Sequence, residues 1–207
     1  PKLATNGDII AVVTDEDSDH WCAPEGIGIY DAQSLRYTGA VGEGGGWNLA
    51  ICGHQGGEIF VTSSKKELNV TNQRGNAISR LEFPDGTNRN GIPLIGCATH
   101  FIAIVNNAVQ LYKVIEVPNR GLRSISCQSK FLRRDLANEK ERFGSLISWG
   151  NDTHFVVYHW IIDASAVDSV CELSIWRLDA ESDSLCQVKS IEVSDELTGV
   201  ALADDFV

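Results

Sequence analysis

"HFIAIVNNAVQLYKV", residues 100–114, is apolar except for a pair of asparagines in its middle, and it reads either as one buried helix or as two strands folded back on each other. At helical period it gives no clean stripe, and Asn106-Asn107 would interrupt the helix. At period two, Phe101, Ala103 and Val105 share one side before the turn. After it, Val109, Leu111 and Lys113 alternate with Ala108, Gln110 and Tyr112, and the β-branched and aromatic content favours strands. Asparagine tolerates the positive φ of a two-residue turn, so the segment predicts a β-hairpin.

The same phrase recurs. "GDIIAVV" (7–13) is followed by "GIGIYDAQSL", "GGEIFVTS" (56–63) by "KKELNVTNQ", and "HFVVYHWII" (154–162) by "CELSIWRLDAES". Each is an apolar strand, a connection, then a strand whose end carries an aromatic in three cases: Tyr30, Tyr112 and Trp176. With Ile9, Ile59, Phe101 and Phe155 as equivalent marks, the interval is roughly 40 to 55 residues, the period of propeller blades of about four strands. Short apolar strands stand upstream, in "WNLAICG", "IPLIGCA" and "GSLISWG". The ends "GIYD", "QLYK" and "SIWR" resemble the third strand of WD40 blades, where a Trp-Asp pair closes the strand; Tyr30-Asp31 comes nearest to that pair, and no Gly-His pair precedes a first strand. A weaker likeness, in the order "FVVYH", long loop, "CELSIWRL", is to the propeller of replisome adaptor proteins that tether polymerase to helicase.

The fold expected is therefore an all-β propeller of about four visible four-stranded WD40-like blades, part of a larger propeller. The approximate blades are 1–41, 42–90, 91–143 and 144–194, with 195–207 starting a further blade or closing the ring: in "ELTGVALADDFV", Phe206 falls about 50 residues after Phe155, again the blade period. What the WD40 resemblance implies is a non-catalytic scaffold for protein–protein contacts inside a larger intracellular assembly, cytoplasmic or nuclear. The alternatives are an extracellular ligand- or carbohydrate-binding propeller and a propeller enzyme with a channel-mouth site.

Composition agrees with a globular chain: 207 residues, 43% hydrophobic and 22% charged. The apolar runs, such as "FIAIV", fall far short of the roughly 20 residues of a membrane-spanning helix. A net charge of −11 disfavours nucleic acid as a partner, because phosphate binding requires clustered lysine and arginine. The six cysteines (Cys22, Cys52, Cys97, Cys127, Cys171, Cys186) are irregularly spaced and several sit in apolar runs, which reads as reduced thiols rather than a disulfide framework. Asn69-Val70-Thr71 and Asn151-Asp152-Thr153 have the form of glycosylation acceptors, the feature that keeps the extracellular alternative open.

Candidate chemistry is sparse. Asp15, Asp17 and Asp19 have the alternate spacing of calcium ligands, but His20 occupies the place of the turn glycine and Gly26 that of the closing acid. Cys52-Gly53-His54 and Cys97-Ala98-Thr99-His100 each resemble half of a zinc site without a second half at readable spacing, so no metal and no cofactor is expected. "GEGGGWNL" (42–49) lacks the Lys-Ser/Thr ending of a phosphate loop and precedes a strand. No nucleophile elbow appears, and no catalytic residue is assigned. The unusual stretch is 120–144, which holds seven of the 17 basic residues (Arg120, Arg123, Lys130, Arg133, Arg134, Lys140, Arg142) against three acids. It reads as an inter-blade loop with a short helix over "KFLRRDLANEKERF", and as a docking element for an acidic protein partner.

Overall fold

The computed structural model describes residues 2–13, 26–41, 48–54, 57–64, 66–83, 91–97, 99–106, 108–131, 142–149, 153–162 and 170–193. These form sixteen strands in four antiparallel sheets, each a meander in chain order. The first sheet holds β1 (Lys2–Thr5), β2 (Ile9–Val13), β3 (Ile27–Asp31) and β4 (Tyr37–Val41). The second holds β5 (Asn48–His54), β6 (Gly57–Ser63), β7 (Glu67–Asn72) and β8 (Ala77–Glu82). The third holds β9 (Leu94–Cys97), β10 (His100–Val105), β11 (Ala108–Val117) and β12 (Gly121–Phe131). In the fourth are β13 (Arg142–Trp149), β14 (His154–Ile162), β15 (Val170–Asp179) and β16 (Ser184–Val193).

The stretch 100–114 folds as the hairpin its pattern predicts: Val105 pairs with Ala108 across the turn, and Asn106 takes φ 48°. Every residue of β10 is buried, because its two faces meet two different neighbours. Phe101, Ala103, Val105, Tyr112 and Val114 pack with Ala50, Cys52, Ile59, Val61, Leu68 and Val70 of the second sheet. Ile102, Ile104, Val109 and Leu111 pack with Phe155, Val157, Trp176 and Leu178 of the fourth. The second sheet uses the same alternation, turning Leu49, Ile51 and Phe60 toward Ala11, Val13, Ile27 and Ile29 of the first. A sheet covered on both faces loses the apolar-polar alternation of a half-exposed strand, which is why the sequence reads as continuous apolar runs.

The first strands of successive sheets lie against one another, β1 on β5, β5 on β9 and β9 on β13. At the second of these approaches there is no room for a side chain: a Cβ added to Gly96 of β9 would stand 1.9 Å from the carbonyl oxygen of Ile51 in β5. Consecutive meanders, stacked face to face with first strands innermost, are the blades of a propeller-type fold.

A repeated irregularity supports the equivalence of the blades. In each sheet the pairing of third and fourth strands slips by one residue, after Ile29, Val70, Leu111 and Ile175 respectively. The residues after the slip are Tyr30, Thr71, Tyr112 and Trp176, and they pair across the blade with Ile10, Phe60, Phe101 and Phe155. The third-strand aromatics read from sequence are thus equivalent. The marks of the first two blades move by one residue, from Ile9 and Ile59 to Ile10 and Phe60, because side-chain direction reverses at every step of a strand. Phe101 stacks on Tyr112 at 4.9 Å between ring centroids and Phe155 on Trp176 at 6.3 Å. In the third and fourth blades the polar end of the third-strand ring is bonded two residues back: the Tyr112 hydroxyl donates to Gln110, and Trp176 Nε1 donates to Ser174 Oγ at 2.8 Å. This lets a large ring enter the core with its donor satisfied.

Candidate functional site

The extra residue in each slipped pair is Thr38, Ile78, Cys127 or Val188, and a bulge of this kind re-aims a side chain. Ile78 turns into the core between the second and third blades, and Cys127 packs against the core between the third and fourth. At the edge of that second core, Cys127 meets the most concentrated polar chemistry among the described residues.

His100 begins β10, faces the fourth blade and is 1% exposed. Its Nε2 lies 2.8 Å from Oδ1 of Asp183, and its Nδ1 lies 3.2 Å from Oγ1 of Thr99. Lys113, the residue after Tyr112 in β11, donates from Nζ to both oxygens of the same carboxylate at 2.8 and 3.1 Å. Asp183 stands in the turn between β15 and β16 with φ 50°, the left-handed conformation that Leu35, Gly75 and Asn119 adopt in the corresponding turns of the other blades. Aspartate enters that region more readily than most residues, so the turn can place a carboxylate without glycine. The Lys113 hydrogen bond first, and then that of His100, hold the Asp183 carboxyl below its usual range. Burial pushes the Cys127 thiol up, the Asp183 charge adds to this, and the Lys113 charge opposes it. The nitrogen, sulfur and oxygen atoms that His100, Cys127 and Asp183 could offer to an ion all lie within 4.8 Å of one another.

The seam continues outward through β12. Gln128 Oε1 accepts from the Leu185 amide at 2.5 Å, and Lys130 Nζ donates to the Leu185 carbonyl. On the other side of the third blade, Arg123 Nη1 donates to the Ile78 carbonyl at 3.1 Å and the Ser124 amide to Ser79 Oγ at 3.1 Å. Of the basic residues singled out in 120–144, Arg123 and Lys130 therefore reach the second and fourth blades. Arg120 is exposed in the turn before β12, and Arg142 opens β13. Arg133, Arg134 and Lys140 lie outside the described residues. The helix expected over 130–143 has strand at both ends instead, since β12 runs through Phe131 and β13 begins at Arg142. Cross-strand pairing of β12 with β11 and β13 with β14 overrides the helix propensity of those end residues.

The calcium candidate Asp15, Asp17 and Asp19 and the loop 42–47 also fall outside the described residues. Of the two zinc half-sites, Cys52 is buried in the core between the second and third blades, where burial first and then the neighbouring Cys97 push its thiol up to about 12, while His100 faces the opposite seam. The five described cysteines are free thiols.

Lys113, Cys127 and Asp183 were not singled out from sequence, although two signals were present. Thr-His-Phe occurs at 99–101 and again at 153–155, and in both the threonine Oγ1 approaches histidine Nδ1. Asp-Ala-x-Ser occurs at 31–34 and at 179–182, and in both the first aspartate is held below its usual range by the serine. These repeats mark equivalent second-strand starts and third-to-fourth-strand turns, the two places that supply His100 and Asp183.

No protein-family model matches the chain, and no curated protein matches it in sequence. In structure it is similar to the Cps50 (Swd1) β-propeller domain of Myceliophteria thermophila, with 11% identity and a TM-score of 0.41 over 87% of this chain and 66% of that one. It is also similar to AztD from Citrobacter koseri, with 16% identity and a TM-score of 0.31 over 94% of this chain and 62% of that one. A protein of unknown function from Bacteroides caccae gives 13% and 0.35 over 86% and 72%. The chain spans less than two thirds of the first two of these proteins. Strand order, register and sheet packing define the blade architecture.

Proposed function

We propose that this chain is a non-catalytic platform for protein–protein contacts, within a larger intracellular assembly. The observation that carries the reading is that the inner strands of the second and third sheets are packed on both faces while β16, the fourth strand of the fourth sheet, is exposed along most of its length. Interlocked faces make a stiff stack, and its rim and turns are free to vary and to present contact residues. On β16, exposed Val188 (57%) and Ile191 (48%) stand beside exposed Lys189 and Glu192. The free described cysteines support a reducing compartment.

The docking element in this reading is the basic stretch 120–144, with Arg133, Arg134 and Lys140 as its contact residues, Arg120 and Arg142 at its borders, and an acidic protein as partner. Arg123 and Lys130 play a second part, bracing the stretch against the neighbouring blades. The test is the double substitution Arg133→Glu with Arg134→Glu in affinity capture with the purified chain as bait. The expected result is loss of specific partners with an unchanged melting temperature. An identical set of captured partners contradicts the reading.

A further inference from the structure

We propose that His100, Cys127 and Asp183 form a binding site for a divalent transition-metal ion of the zinc class, bridging the third and fourth blades. The donors are one imidazole nitrogen, one thiol sulfur and one carboxylate oxygen, from β10, from the bulge of β12 and from the turn between β15 and β16, and their ligating atoms already lie within 4.8 Å of each other. A mixed nitrogen, sulfur and oxygen set is the kind that zinc accepts, whereas calcium and magnesium select oxygen alone. Three protein ligands leave a fourth position for water.

The surroundings supply what metal ligands need. Thr99 Oγ1 at 3.2 Å from Nδ1 can accept the imidazole proton there, which turns the lone pair of Nε2 toward Asp183. Such an outer partner fixes the ring and its tautomer. Lys113 contacts both carboxylate oxygens, so when the ion takes Oδ1 the ammonium keeps its bond to Oδ2 and neutralises part of the charge. The cluster is reachable from outside: His100 is closed off at 1% exposure, but the Asp183 and Lys113 side chains are 34% and 29% exposed. The bulge matters because a regular strand would not interpose a residue between Ser126 and Gln128, the partners of Tyr112 and Leu111. Binding breaks the Cys127 S–H bond as the sulfur–metal bond forms, and the proton leaves to solvent. The ion would join blades already pressed together by Ile102, Leu111, Phe155 and Trp176.

The test uses the reduced chain and cobalt(II) as the probe. The expected result is a thiolate-to-cobalt absorption band in the near ultraviolet that saturates at one ion per chain, with about one proton released per ion bound. The band persists in Cys186→Ser, an exposed cysteine elsewhere, and disappears in Cys127→Ser. Thr99→Val, which touches no ion, weakens zinc affinity by about 10- to 100-fold in chelator competition. Should Cys127→Ser fail to fold, Asp183→Asn at its half-exposed turn reads the same site, with an expected loss of saturable binding. Absence of a saturable band in the unaltered chain, or a band of equal strength in Cys127→Ser or Asp183→Asn, overturns the proposal.

Discussion

The third blade meets the second and the fourth in different ways. Toward the second, Phe101, Ala103, Val105, Tyr112 and Val114 press on aliphatic side chains, and Gly96 lets β9 touch the backbone of β5. Arg123 and Ser124 of the third blade donate to the Ile78 carbonyl and the Ser79 hydroxyl, and Asn48 and Ser63 of the second donate to the Ile92 carbonyl, so every acceptor in these bonds across the seam is uncharged. Toward the fourth, an equally apolar centre is bordered by His100, Lys113 and Asp183, a charged group held by one carboxylate. The first seam derives its stability from excluded water and close approach, which pH and salt hardly affect. The second adds a component that protonation or a bound ion can alter.

The largest expected effect lies in the apolar seam. Phe101→Ala removes a fully buried ring stacked on Tyr112 and should cost about 3–5 kcal/mol in urea unfolding. Gly96→Ala should cost about 3 kcal/mol, the upper part of the overpacking range, since the added methyl meets backbone that cannot rotate away. A neutral outcome for Gly96→Ala would mean that β5 and β9 do not approach as described.

The charged seam should respond less strongly but with a pH signature. Asp183→Asn is expected to cost about 1 kcal/mol at neutral pH, because the carboxylate is one-third exposed and solvent screens its pairs. The folded-state pKa of Asp183 is depressed, so its contribution is present above the ordinary value of 3.8 and is lost as pH falls through the lower folded value. With chelator present, the melting temperatures of the two proteins should therefore converge on acidification below pH 3.8. Asp31 and Asp179 are depressed in both proteins, so the difference between the two curves isolates Asp183. A constant gap across that range would separate the carboxylate charge from the stability of this seam. Smallest of all, Arg80→Ala breaks a 2.5 Å pair with Glu67 at a 62% exposed side chain and should stay within about 0.5 kcal/mol.

The comparison also shows what a sequence can carry. The hairpin at 100–114 was legible because Asn106-Asn107 divides two β-branched runs, and blade equivalence because Tyr30, Tyr112 and Trp176 recur at the same strand position. The one-residue offset at Ile9 and Ile59 was not legible, since both residues and their successors are apolar and only the choice of neighbouring sheet distinguishes them. The cluster between the third and fourth blades was less legible still. Asp183 lies 70 residues from Lys113 and 83 from His100, and what joins them is the docking of one blade on another. Cys127 reaches them through a bulge that nothing in "SISCQSK" announces, whereas the basic residues of 120–144 drew notice through local density alone.

The third and fourth sheets lie face to face, and a zero-length carbodiimide cross-link tests this most directly. Lys113 Nζ stands 2.8 Å from Asp183 Oδ1, close enough for an amide to form with no spacer. Digestion and mass spectrometry of the chelator-treated native chain should recover a peptide joining Lys113 to Asp183, absent after unfolding in urea before cross-linking. Recovery of Lys113 linked only to other acids, with Asp183 left unmodified by it, would contradict the packing of these two blades.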